Sequence, residues 1–325
     1  MPPALPAKGK TSKTKRGDPM NVREWALPVY TILMQLAVGA FFIIWLIRHL
    51  AGSKFSPQEI DRIIFNPILV IAFTIVVAMG GAHFHLSKPF HSFLAVLNFK
   101  TSWLSREIIF TVLFFLTTMI VLYLVYFQPH RRSLVSGLGW LAIVFGFVLI
   151  YCMALIYLIP TQVAWNSTTV ILSFFITALM LGGMAIACLM MLDLKFAEIQ
   201  KADDVDLRAQ VIRYSSGGLT VLTVVLAVFS LGILFTQIRL LSQGDPIART
   251  SLRLLVELYL PLLLLRLACL TYAPLALALA VVKMYRKQSA PQNLMNPVYL
   301  SCLMILVGEI IGRFLFYATH IRVGV

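Results

Sequence analysis

Eight apolar runs, each long enough to cross a hydrocarbon layer as a helix, dominate this 325-residue chain. About 20 helical residues cross a bilayer core, and in lipid only helices and closed barrels satisfy their own backbone hydrogen bonds. The runs predict spans at 25–50, 63–85, 103–127, 134–160, 168–192, 217–238, 251–284 and 298–320. The seventh is overlong and holds Pro261 and Pro274, which predicts a tilt or a kink. Trp25, Trp103 and Trp165 fall near run ends, where belt aromatics sit. The chain is 60% apolar and only 12% charged, so its surplus apolar surface needs lipid to cover it. The expected fold is an all-α integral membrane protein with eight transmembrane helices and both termini on the same side. Residues 1–23 read as a disordered basic tail, and 24–325 as a single membrane domain. The longest polar connection, 193–216, reads as a solvated loop or short helix.

Composition also limits the chemistry. The formal charge of +14 fits anionic headgroups or an acidic partner face in a membrane protein, and predicts no nucleic-acid partner. The four cysteines lie inside apolar runs without metal-type spacing, so the chain carries no iron–sulfur or zinc motif of its own and no metal site is expected. The basic start lacks the apolar stretch of a signal peptide. With the termini on side A, the loops of side B carry twelve lysines and arginines; side A carries six, and the tail adds six more. The positive-inside rule therefore leaves the orientation open.

The embedded charges are distributed unevenly. An ionisable side chain within a span costs roughly 2.5–3.5 kcal/mol on insertion scales, so each needs a partner or a role. His83 and His85 close the second run at side A, Arg106 and Glu107 open the third, and Arg253 and Glu257 open the seventh. Glu309, Arg313 and His320 step toward side A on the eighth, with Arg266 and Glu309 nearest mid-depth. Glu309 and Arg313 are spaced i,i+4 with the carboxylate first, the favourable order. That stripe reads either as a proton path or as a structural pair locking helix packing, and Arg253–Glu257 reads as structural. Tyr157, Gln162 and Trp165 border the same side. Haem would need paired axial histidines on different helices; no second pair exists, and none is expected. Histidine, carboxylate, arginine and tyrosine at one membrane face suit a quinone, whose reduction or oxidation moves two protons with two electrons. A secondary transporter would place its polar site at mid-depth between repeats; a proton-translocating quinone subunit is the nearer alternative.

Four segments carry a family resemblance: EWALPVYTILMQLAVGAFF; FHLSKPFHSFLAVLN with SWLSREI; YLIPTQVAW with FFITALMLGG; and GEIIGRFLFYATHIRVG. The chain resembles the membrane anchor subunits of dimethyl sulfoxide reductase-type complex iron–sulfur molybdoenzymes. The resemblance implies a multi-pass anchor in a bacterial inner membrane. It would exchange electrons between menaquinone or ubiquinone and an iron–sulfur partner subunit. Fe–S clusters and molybdopterin would sit only in partner subunits, with no haem and no catalytic residue in this chain. By the motif, His85 in HLSKP and Glu107 in LSREI match the family's quinol-site histidine and glutamate. Arg106 and Tyr157 complete the expected quinone site, with Glu309, Arg313, His320 and Glu257 as proton path or structural pair. Here Ser87 and Lys88 replace the family's Gly-Ser. Related sulfite-oxidising anchors run electrons the other way.

Overall fold

A computed structural model describes the backbone of residues 22–85, 96–319 and 321, with side chains described from 27 to 81 and from 96 onward. All regular structure among these residues is helical. The long helices are α1 (Val22–Ala51), α2 (Pro57–His85), α3 (Trp103–Phe127), α4 (Arg132–Leu155), α5 (Thr168–Gln200), α6 (Val205–Gln243), α8 (Leu260–Lys287) and α9 (Met295–Ala318). A short α7 (Pro246–Arg253) precedes a π-helical turn, Leu254–Leu258, and a 3-10 turn, Pro291–Leu294, precedes α9. Eight helices are long and apolar enough to span a membrane. The chain is a multi-pass membrane protein, as its apolar runs predict.

α1 and α5 form the centre. In the most apolar 18-residue stretch of α1 78% of the residues are buried, against 33–56% in the corresponding stretches of the other spans. In lipid no hydrophobic force pulls helices together, so close packing must do so, and small residues permit it. Gly39 of α1 faces Ala178 and Gly182 of α5, and a Cβ on either glycine would overlap the opposing backbone. Nearby, the Trp45 indole fills a slot that exists only because position 139 on α4 is glycine. Trp45 stacks on Phe41, with ring centroids 5.6 Å apart, and Phe41 meets Phe114 of α3 edge-on. Outward faces carry Phe73, Val76, Val228, Phe229 and Leu279, all exposed, as lipid contact requires.

The seventh run is broken where its prolines suggested strain, but ahead of the first one. The α-helical ladder ends at Arg253, passes through the π turn and restarts at Leu260, with Pro261 in the opening positions of α8, where its missing N–H costs nothing. Pro274 stays inside α8 and is buried. The connection expected at 193–216 is mostly helix instead. α5 continues through Gln200 and α6 starts at Val205. Charge pairing stabilises this extension. Arg208 is bonded to Asp193 of α5 and, at 2.8 Å, to Asp204, while Arg62 of α2 reaches Asp204 at 3.1 Å. Arg48 and Asp61 add a two-pronged pair between α1 and α2, 2.7 and 3.2 Å. These contacts mark end B of the bundle. Contacts of Tyr30 on α1 with α3, and of the α4–α5 turn with the last turns of α9, mark the opposite end, A.

Candidate functional site

End A begins with the start of α3. Ser102 caps the helix, its side chain accepting from the Ser105 amide at 3.3 Å. This puts Glu107 in the second turn of α3. The Glu107 side chain turns inward and is only 4% exposed. The Tyr30 phenol of α1 meets Thr111 Oγ1 at 3.1 Å. Thr111 in turn donates to the Glu107 carbonyl at 2.8 Å. Tyr157, in the turn that follows α4, and Tyr317 of α9 form a polar cluster at the same end.

The far wall of that cluster is aromatic. Trp165 stacks on Phe316, with centroids 5.1 Å apart and planes 13° from parallel, and its indole N–H donates to the Phe316 carbonyl at 2.8 Å. Tyr157 packs edge-on to both rings and shares a short hydrogen bond with Tyr317. Behind it lies Arg313, 7% exposed. Its guanidinium sits 4.0 Å above the Phe174 ring and donates to Gln35 Oε1 at 2.7 Å. Gln35, wholly buried on α1, returns its own amide to the Phe174 carbonyl at 3.0 Å. A buried cation is thus supported by an amide dipole and an aromatic face, together worth a few kcal/mol.

The expected site residues divide into three groups. Glu107, Tyr157 and Arg313 come together here. Arg106 does not join them. Its guanidinium donates to the carbonyls of Phe99 and Lys100, at 2.8 and 2.6 Å, and covers Trp103 at 4.1 Å. Glu309 also departs from the expected i,i+4 pairing with Arg313, because each finds a partner on another helix. Glu309 Oε2 accepts from Thr177 of α5 at 2.6 Å, and no ion pair joins the two among the described residues. Glu257 sits exposed in the π turn, where an i,i+5 ladder breaks the register expected with Arg253. His85 closes α2, but its side chain and that of His83 lie outside the described residues, as do His91, Lys88 and His320. Tyr30, Thr111 and Gln35 are additions. A tyrosine and a glutamine inside the first apolar run were the signal for two of them.

The residues fit a quinone headgroup in one further respect. Gln162 Oε1, in the α4–α5 turn beside Trp165, is buried and has no hydrogen-bond partner among the described residues. The tyrosine phenols can donate to carbonyl oxygens, and the Glu107 carboxylate and Gln162 can accept from hydroxyls. No cluster of three metal-ligating side chains occurs among the described residues.

The model of the DMSO reductase anchor subunit (DmsC) family matches residues 20–319. The chain belongs to this family. Its similarity to the anaerobic dimethyl sulfoxide reductase chain YnfH of Escherichia coli K12 is 25% identity over 304 residues, covering 93% of this chain and 96% of that one. An anaerobic dimethyl sulfoxide reductase chain of Haemophilus influenzae is 23% identical over 314 residues, 94% of this chain and 98% of its own length. A shorter match, 29% over 79 residues and 24% of each polypeptide, is to a sulfite dehydrogenase subunit of Allochromatium vinosum. This member of the DMSO reductase anchor subunit family holds its polar cluster at one end of a multi-pass bundle.

Proposed function

We propose that this anchor subunit is the quinone-reactive part of a three-subunit molybdoenzyme of a bacterial inner membrane. It would exchange electrons between menaquinone or ubiquinone and an iron–sulfur partner, which passes them to or from a molybdopterin subunit. The observation that carries this reading is the buried Glu107 carboxylate at the end of the bundle that also holds the Tyr30, Tyr157 and Tyr317 phenols. A bound quinone supplies two-electron, two-proton redox chemistry. Glu107 accepts or returns a proton at its carboxylate. Tyr157 donates a hydrogen bond from its phenol, while Trp165 and Phe316 keep water from the headgroup. His85, which ends α2 at this face, is the second hydrogen-bonding group. Arg106 braces the 99–100 turn beside Glu107 and acts as a positioning residue. Trp103 and Leu104, exposed at the mouth, suit the isoprenoid tail or the partner subunit.

A photoactivatable quinone tests the site on the assembled complex in its membrane. Cross-links expected at the α3 start, the α4–α5 turn and the α9 end support the reading. Cross-links confined to end B, or competed by no quinone, overturn it.

A further inference from the structure

A second polar region lies deeper, and the quinone reading does not use it. Between α5, α6, α8 and α9 is a cavity of about 50 Å³, and at ~10–15 Å³ for each water centre it has room for a few waters. α5 lines it with Thr177, α6 with Ser230 and Gln237, α8 with Arg266, and α9 with Glu309 and Arg313. Glu309 is 3% exposed and lies nine residues before Ala318, about 14 Å below end A. One of its oxygens accepts from Thr177. The other, Oε1, has no hydrogen-bond partner among the described residues, and neither has Arg266 Nε. The guanidinium of Arg266 occupies the space a side chain at Gly312 would need, so the glycine keeps a cation beside the chamber. An acceptor and a donor, both buried and both unsatisfied, facing one small polar cavity are the groups that internal water bridges.

The chamber has a polar connection toward end A. Gln237 Nε2 reaches Thr169 Oγ1 at 3.4 Å, and that hydroxyl donates to Ser167 Oγ at 2.9 Å. Ser167 caps α5 at the face itself. This route crosses to α5 and α6. On the stripe expected along α9, the Arg313 guanidinium turns to Gln35 and Phe174. The charged groups facing Glu309 are Arg266 from α8 and Arg313 from its own helix; α5 and α6 contribute hydroxyls and an amide.

We propose that this chamber is a hydrated proton-exchange site, with Glu309 Oε1 as the proton-carrying atom and Gln237, Thr169 and Ser167 as its link to end A. A proton arriving through chamber water forms an O–H bond at Oε1. It leaves by the same water, and no oxidant or second substrate is needed. Arg266 anchors the water chain and balances the carboxylate when it is ionised.

Infrared difference spectroscopy on the full chain in lipid nanodiscs tests this, across a pH change and on switching to D2O. The expected result is a carboxylic C=O band that shifts in D2O, survives in Glu107→Gln, is lost in Glu309→Gln and moves in Glu309→Asp. Gln237→Leu should retain the band and slow its deuterium exchange about tenfold, a barrier raised by roughly 1.4 kcal/mol. Difference spectra unchanged by both Glu309 variants, or exchange in Gln237→Leu as fast as in the parent, overturn the proposal. Quinone turnover is not the readout, so this result stands apart from the site at Glu107.

Discussion

At the scale of single residues, the chain tolerates polarity in its interior only where partners are built for it. Arg313 is the clearest case. Its positive charge is nearly without water, and the Gln35 carbonyl oxygen and the Phe174 ring take water's place. Gln35→Leu should therefore destabilise the protein by about 1.5–3 kcal/mol, the worth of a hydrogen bond to a charged group. Thermal unfolding in detergent is the measurement, and Gln35→Glu, which keeps an acceptor, should lose much less. An unchanged midpoint in Gln35→Leu would mean that the aromatic ring alone holds the cation. The sequence made Glu107 and Arg313 visible because a charge inside an apolar run is conspicuous. It did not make Gln35 or Phe174 visible as partners of Arg313, because they lie 278 and 139 residues away along the chain, and only the packed bundle brings them together. Arg106, equally conspicuous, faces two loop carbonyls, since neighbouring positions on a helix point about 100° apart.

At the scale of elements, helix existence followed directly from hydropathy, while helix ends followed from charge pairing that hydropathy does not register. α5 and α6 run 33 and 39 residues, well past what a bilayer requires, because Arg208 and Arg62 tie their polar ends together. Arg208→Ala leaves Asp193 and Asp204 without their shared cation. The expected outcome is faster amide hydrogen exchange over 193–208, with the spans themselves unaffected. Unaltered protection there would show that the helices extend on propensity alone. The crossing of α1 with α5 makes a second element-scale prediction. Gly182→Val drives a side chain into the α1 backbone at Gly39 and should cost at least the 1–3 kcal/mol typical of overpacking. Gly183→Ala is the control, because no atom lies near its Cβ position, and it should be neutral or slightly stabilising. The paired glycines at 182 and 183 look alike in sequence. Which one faces α1 depends on helix rotation, which a uniformly apolar run does not specify.

At the scale of the whole molecule, the bundle is asymmetric along its axis. End B is a network of largely buried ion pairs that join helix termini. End A gathers a buried carboxylate, three phenols, an indole and a buried guanidinium, with a hydrated chamber below. Such a layout suits a protein that meets a lipid-soluble reactant and a docked partner at one face and uses the other only for cohesion. The family supplies the anchor role, and the quinone reaction is the reading that these residues add. The most direct test is turnover by the assembled complex, comparing a quinone or quinol with a soluble dye that bypasses the membrane subunit. Glu107→Gln and His85→Ala should each abolish quinone-coupled turnover while dye-coupled turnover stays at the parent level. Full quinone-coupled turnover in both variants would contradict the assignment of the site to end A.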